Sequence, residues 1–452
     1  MLFKDSEDKC SLADALQLLE PEQVYRPGDV QAYSNYGAAL AGYIVEKVSG
    51  MDYCDYVHKN ILDVLGMNHT AVSADHSDSS FVYEQMKKTS SYKFLLGKSE
   101  RIKQKKNHVS IYPAGAVTGT LNDLLIFAEA LADDSAPLFE HPETQQTMLS
   151  GTLFYGETDI PVNSHGFFWI DYSVRVFGHT GATSGCLAEM FIDPQSKTGV
   201  AVMINQNNDN WFYSNAPELV LGRYKDDKVQ SSGEKLNLSG YYIPSRSRGS
   251  GMMKFTSILD AANFGSVFEA TDNGNGLLLL KSGDEESQIA GKVISEDGST
   301  VIRSVSTDYI PLKWFVPKIL LLSAYIFCGV ISAIMLRTML KLKKFGKTRY
   351  IEGYRLINSG YPAIIISVIL FFTVFGVFSE NLGLPKTATV TLGILQILCA
   401  GVCTAAAIKA VMSLAVRKKE KSKILTAESV MSAAANIIAV SAIVYFELYK
   451  FM

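Results

Sequence analysis

The sequence predicts an α+β fold with a membrane region appended: an antiparallel sheet flanked by helices, then a small β module, then four transmembrane helices. Three observations carry this. Helix-periodic apolar runs dominate residues 11–131; strand-length runs broken by glycines and turn residues occupy 166–205; four long apolar stretches separated by basic clusters follow residue 313. The expected division is residues 1–230, 231–312 and 313–452.

Ser11 with Asp14 reads as an N-cap and acidic first turn, ahead of Leu12, Ala13, Leu16 and Leu19 on one helical face. Pro21 and Pro27-Gly28 end that helix and turn the chain toward Tyr33. Ala39, Leu40, Tyr43, Ile44 and Val48 then recur at helical spacing until Ser49-Gly50, and another helix covers 53–62. Residues 73–107 are polar, lysine-rich and without a steady period, which predicts a surface excursion. Thr120 caps a helix through Leu124, Phe127, Ala128 and Leu131, and Asp123 supports its start. Strands are expected at 166–170, 173–177, 186–192 and 199–205. Before the last of these, Asp193-Pro194-Gln195-Ser196 makes Lys197-Thr198-Gly199 part of a turn. Asn273-Gly274 and Asn275-Gly276 between short apolar runs predict an antiparallel module in 231–312.

A formal net charge of −3 over 452 residues argues against a nucleic-acid partner. Of the six cysteines, Cys328, Cys399 and Cys403 fall in apolar segments; Cys10, Cys54 and Cys186 have no metal or redox spacing and read as small buried residues. His58, His69, His76, His108, His141 and His165 likewise show no metal-ligand spacing, so no metal site is expected. The opening Met1-Leu2-Phe3-Lys4-Asp5 lacks the apolar core of a signal peptide.

Two short motifs remain. Tyr33-Ser34-Asn35 lies where a loop meets the helix of Ala39, and His179-Thr180-Gly181 lies between strand patterns, flanked by Gly178 and Gly185. Each has a plain reading: Tyr33 as a half-buried aromatic, Asn35 as an N-cap, His179 as a residue closing a turn. Together, and with Arg26-Pro27-Gly28, Leu65-Gly66-Met67, Pro113-Ala114-Gly115 and Leu121-Asn122-Asp123-Leu124 in order, they make the stretch from Ser11 to Asn207 similar to the β-lactamase-related serine hydrolases. That group holds class C β-lactamases, penicillin-binding proteins and related esterases.

The resemblance implies a β-lactamase/transpeptidase-like sheet and an acyl-transfer centre built from three motifs: Ser-x-x-Lys, Tyr-x-Asn and Lys-Thr-Gly or His-x-Gly. On that basis Tyr33 is the phenolic partner in proton transfer and Asn35 holds the substrate's acyl side chain or amide. His179 replaces the usual lysine, Thr180 and Gly181 line the strand edge that pairs with substrate, and the N–H of Ala182 is an oxyanion donor. A histidine here makes the charge of the edge pH-dependent. The implied substrate is a small molecule or peptidoglycan-type peptide, with no cofactor. The first motif is not matched in a suitable setting: Ser6-Glu7-Asp8-Lys9, Ser90-Ser91-Tyr92-Lys93 and Ser232-Gly233-Glu234-Lys235 all lie in polar stretches. The chain is therefore expected to begin after the nucleophile helix, to be inactive as it stands, and to expose apolar surface where that helix would pack.

Residues 315–336, 361–378, 388–416 and 429–446 are each long enough to cross a bilayer. Arg337, Lys341, Lys343, Lys344, Lys347, Arg349 and Arg355 separate the first two; Arg417, Lys418, Lys419, Lys421 and Lys423 separate the last two. By the positive-inside rule both loops are cytoplasmic, which puts residues 1–313 outside the cytoplasm. Asn436 reads as an interhelical hydrogen-bonding residue rather than a transport site. Two functions stay open: a membrane-anchored serine hydrolase acting on D-alanyl peptides, β-lactams or esters, and a non-catalytic envelope binding or sensory protein.

Overall fold

The structure is a computed structural model that describes residues 2–3, 11–95, 98–101, 108–133, 138–183, 185–207, 210–223, 234–236, 241–247, 252–258, 268–272, 276–282, 288–295, 298–344, 354–379, 386–416 and 423–450. They fall into two units, one of residues 1–238 with 267–310 and the other of 239–266 with 311–452. The stretch expected as one module, 231–312, is thus shared between them.

In the first unit β1 (Leu2–Phe3) precedes α1 (Leu12–Leu18), whose cap is Ser11: its hydroxyl accepts from the Asp14 N–H at 3.1 Å and donates to the Asp14 carboxylate at 2.7 Å. α2 (Asn35–Ser49) is capped by Ser34, not Asn35, and stops at Gly50, whose φ of 70° is the left-handed conformation glycine takes without strain. Leu12, Ala15, Leu16, Ala39 and Ile111 form the core between these helices. The expected apolar face of α2 is only partly buried: Ala39 is covered, whereas Leu40, Ile44 and Val48 are exposed along one stripe. The expected helix at 53–62 is α3 (Tyr53–Val57), a π-turn at His58–Leu62 and α4 (Asp63–Leu65).

The expected excursion at 73–107 carries regular structure in its described part, and residues 96–97 and 102–107 of it lie outside the described residues. α5 (Ser80–Lys88) is capped by Ser79, and β2 (Tyr92–Leu95) pairs with β3 (Lys98–Arg101). β2 also pairs with a strand near residue 206, so its partner is far off in sequence and leaves no local period to read. Next come β4 (His108–Val109), which pairs with β1, then α6 (Leu121–Ala132) and α7 (Pro142–Leu149). Thr120 caps α6 as expected. Asp123 is buried and accepts from the His69 N–H and the Thr70 hydroxyl, both at 2.8 Å, so it ties the helix start to the preceding loop.

The central sheet is wholly antiparallel. β5 (Leu153–Phe154), β6 (Pro161–Asn163), β7 (Phe168–Asp171), β8 (Arg175–Thr183), β9 (Cys186–Asp193) and β10 (Thr198–Ile204) are neighbours in sequence order. One face, with Phe177, Met190 and Ile192, packs against Ala128 and Leu131 of α6. The other, with Val176 and Phe191, meets Leu221 of α8 (Asn210–Leu221), which follows β11 (Gln206–Asn207). This two-sided burial follows the strand alternation. Lys197 has φ 55° in the turn that brings Thr198 opposite Asp193, so Lys197-Thr198-Gly199 is turn chemistry as expected.

A second antiparallel sheet in the same unit carries Glu234–Leu236, Phe268–Asp272, Leu277–Ser282, Gln288–Ile294, Thr300–Arg303 and Asp308–Pro311. It packs on the central sheet where Leu277 and Ile289 meet Tyr155 and Val162.

The second unit is a helical bundle of Phe315–Lys344, Tyr354–Ser379, Lys386–Val416 and Lys423–Tyr445. Three of its segments, Phe315–Leu340, Asn358–Phe375 and Val390–Ala415, are long and apolar enough to cross a membrane; the apolar part of the fourth, Ser429–Tyr445, is shorter. The bundle core carries a polar chain: Tyr325 to Ser367 at 2.6 Å, then Ser367 to Gln396 at 2.7 Å. Asn436 is fully buried but does not make the expected interhelical hydrogen bond: it donates to the Ser432 carbonyl of its own helix at 2.7 Å, its Oδ1 has no hydrogen-bond partner among the described residues, and it lies where only a glycine, Gly360, fits on the facing helix.

Candidate active site

Tyr33 and His179, far apart in sequence, meet with their ring centroids 5.8 Å apart. A third ring, Phe168 at the start of β7, completes the group. It stacks on His179 at 4.8 Å and 24° and lies 5.8 Å from Tyr33. The sequence reading placed a strand here but gave Phe168 no role; its signal is only an aromatic at the start of the strand before His179.

His179 does not close a turn. It lies inside β8, opposite Met190, and the turn is four residues later, where Thr183 faces Cys186 across residues 184–185 and Gly185 has φ 80°. A two-residue loop makes its closing pair hydrogen-bonded, so Thr183, Gly181 and His179 exchange backbone bonds with β9. Thr180 and Ala182 have the opposite parity and turn their N–H and C=O groups to the other edge. Gly178, of that same parity, is matched there by Phe168, the first residue of β7. Beyond Gly178 the strand β7 has ended, and Thr180, Gly181, Ala182 and Thr183 are exposed along an unpaired edge. Gly178 is itself obligatory, because a Cβ there would run into the Met190 carbonyl and the Phe191 ring.

Burial pushes the His179 imidazole below its ordinary value, partly offset by the hydrogen bond of Nδ1 to the Thr180 carbonyl at 2.6 Å. The ring is therefore neutral at physiological pH and becomes cationic only on acidification. Opposite Thr180 on β9 lies Glu189, 5 % exposed, whose carboxyl burial pushes up to about 7 against a hydrogen bond with Tyr213. Its Oε1 has no hydrogen-bond partner among the described residues. Nothing in the strand pattern marked this carboxyl as buried.

Tyr33 is held from outside its own neighbourhood. Its N–H donates to the Ser306 carbonyl at 3.0 Å, and Ala32 bridges Thr307. The Gln31 N–H donates to Asp308 Oδ2 at 2.9 Å, and the Asp308 N–H donates to the Gln31 carbonyl at 2.9 Å. Asp308 is fully buried and forks onto Arg303 at 3.1 and 3.2 Å. Asn35, the first residue of α2, is exposed, and its side chain makes no hydrogen bond among the described residues. The structure thus joins Tyr33, His179 and the edge of Thr180, Gly181 and Ala182, and leaves Asn35 open to solvent. Of the Ser-x-x-Lys matches, Ser6–Lys9 and Ser232 lie outside the described residues. Ser90 precedes β2, the strand that carries Lys93 in its sequence. No metal-ligand cluster occurs among the described residues.

Residues 3–224 match the Beta-lactamase family model, and this part of the chain belongs to the beta-lactamase family. Its fold is the β-lactamase/transpeptidase type of antiparallel sheet with flanking helices. A penicillin-binding protein of Bacillus subtilis (strain 168) is 25 % identical over 251 residues, 51 % of this chain and 52 % of the relative. A Cochliobolus lunatus protein named "Probable hydrolase clz13" is 32 % identical over 81 residues, 18 % of this chain and 13 % of its own length. The chain thus spans about half of one relative and about an eighth of the other. Among solved structures, a D-amino acid amidase from Ochrobactrum anthropi SV3, complexed with L-phenylalanine amide, is 23 % identical, with a TM-score of 0.39 over 48 % of this chain and 63 % of the amidase.

Proposed function

We propose that the Tyr33–His179 site serves acyl transfer in a membrane-anchored serine hydrolase that faces outside the cytoplasm and acts on D-alanyl peptides, β-lactams or small esters. The observation that carries the reading is the meeting of Tyr33 with His179 where β8 runs on past β7. A substrate amide laid along that edge can pair with the Thr180 N–H and with the N–H and C=O of Ala182, while the Thr180 C=O is engaged by His179 Nδ1. The Ala182 N–H is then one donor to the oxyanion, and the Tyr33 hydroxyl returns a proton to the leaving group. Neutral His179 beside Tyr33 supplies a hydrogen-bonding group in place of a fixed charge, and Asn35 orients the acyl side chain. Four helices anchor the protein, and their basic loops at 337–355 and 417–423 face the cytoplasm.

The test is gel labelling of this chain, and of any longer product its locus encodes, with a fluorescent penicillin and a fluorophosphonate. The hydrolase reading expects label on the product that carries a Ser-x-x-Lys helix and none on residues 1–452. Label on neither favours the second reading, an envelope binding or sensory protein without catalysis.

A further inference from the structure

Behind the exposed edge of Thr180, Gly181 and Ala182, on the face of the central sheet turned to α8, a tyrosine and an acid meet at the backbone of β9. Tyr213, Pro217 and Leu221 are spaced four apart and share one face of α8, and Leu221 packs on Val176 and Phe191. Alternation along β9 puts Glu189 on the same side of the sheet as Phe191, so it also faces α8. The Tyr213 hydroxyl donates to the Ala188 carbonyl at 2.8 Å. That carbonyl belongs to the edge. Ala188 is the register partner of Gly181, and its oxygen points at β8, 3.7 Å from where a Gly181 Cβ would stand, so it also takes the Gly181 N–H. Gly181 lies between the two residues whose N–H groups are offered to substrate. Since β7 has ended at this level, β9 and its support from α8 set where the edge lies.

A phenol has one proton to give. Next to Ala188 the Glu189 carboxyl is buried, and its Oε1 has no hydrogen-bond partner among the described residues. It is a second acceptor for the same hydroxyl. The register neighbours of Glu189, Thr180 on β8 and Val202 on β10, carry no charge. The titratable groups around it are Tyr213 of α8 and Tyr172, which follows β7; Glu218 of α8 is near Tyr172 and is paired to Arg223 at 3.8 Å. A neutral Glu189 can donate to the phenol oxygen and leave the phenol proton on Ala188. A carboxylate is the stronger acceptor and draws that proton to itself.

We propose that Tyr213 is a positioning residue for the substrate-pairing edge, which it holds through the Ala188 carbonyl, and that ionisation of Glu189 releases this hold. The inference rests on the reading of the edge as part of an acyl-transfer site. Because burial lifts the Glu189 carboxyl to about 7, the hold is present below that pH and is lost as pH rises through it.

The experiment uses the full chain in nanodiscs, titrated with acetyl-D-alanyl-D-alanine and with benzylpenicillin, while amide exchange at Gly181 is followed alongside. At about pH 6, Y213F should bind the ligands about tenfold more weakly than the wild type and lose Gly181 protection by a similar factor. At about pH 8.5 the two chains should match, because the wild type has lost the same bond. E189Q, which cannot ionise, should behave at the higher pH as it does at the lower. A tether that only stabilises the fold would give Y213F the same deficit at both pH values, and that result would overturn the proposal. So would an E189Q chain that weakened with rising pH as the wild type does, a comparison that holds even where Y213F fails to fold. If the wild type bound neither ligand while the exchange pattern held, the acyl-transfer reading would fall and the hold on the edge would stand. Binding with no effect of Y213F at the lower pH would sink this proposal alone.

Discussion

The two halves of the candidate site are built in opposite ways. The His179 half is local: β8 and β9 are joined by a two-residue loop, and that loop fixes the register of every pair from Thr183–Cys186 to Phe177–Ile192. The Tyr33 half is remote. The backbone around it is pinned by Ser306, Thr307 and Asp308, and the Gln31–Asp308 bond spans 277 residues. One half should therefore survive almost any change elsewhere in the unit, while the other depends on a sheet that contributes no residue to the chemistry.

The largest expected effect breaks the remote half. Asp308→Ala removes the acceptor for the Gln31 N–H and leaves Arg303 buried without its carboxylate, a loss of about 3 kcal/mol or more, so amide-exchange protection at Tyr33 should fall by about a hundredfold. Protection along β8 and β9 should not change; a parallel loss there would show the halves to be one. The converse is Gly178→Ala. Its Cβ must displace the Met190 carbonyl, an overpacking cost of about 2 kcal/mol, and protection in the β8–β9 pairs should drop about thirtyfold while Tyr33 keeps its own.

A pH-dependent test sharpens the local half. Because burial raises Glu189 to about 7, folding takes up a proton; that stabilisation is full below the ordinary carboxyl value of 4.5 and is lost as pH rises through 7. Glu189→Gln should accordingly match the wild type at pH 5 and exceed it in β9 protection by about tenfold at pH 8.5. The smallest effect is at the contact between halves. Phe168→Ala removes the ring stacked on His179 and admits water, so the imidazole value, now depressed by burial, should rise in an NMR titration. An unchanged value would mean that other groups do the desolvating.

The local half was also the legible one. The strands around His179, the Thr120 cap and the turn at Lys197 follow from alternation and turn chemistry, which act over a few residues. Tyr33 could be placed at a helix start, although the cap proved to be Ser34. What the sequence could not show depends on distant partners. β2 takes its pairing from residues 206–207, Asp308 looks like any strand-end acid until Gln31 and Arg303 are set beside it, and Phe168 is one aromatic among many. The exposure of Leu40, Ile44 and Val48 is of the same kind, since helical spacing shows that a face is apolar and not what covers it.

The tether from residues 303–308 to the Tyr33 segment also sets an order of events during synthesis. The ribosome delivers Tyr33 early and the β8–β9 hairpin midway, yet the tyrosine has no fixed place until the chain has been made through Asp308. The residues that follow at once are the first apolar span, from Phe315. The last tether of the Tyr33 segment and the first long apolar helix are thereby made nearly together, so in a nascent chain the tyrosine is pinned at its outer side only as that helix emerges.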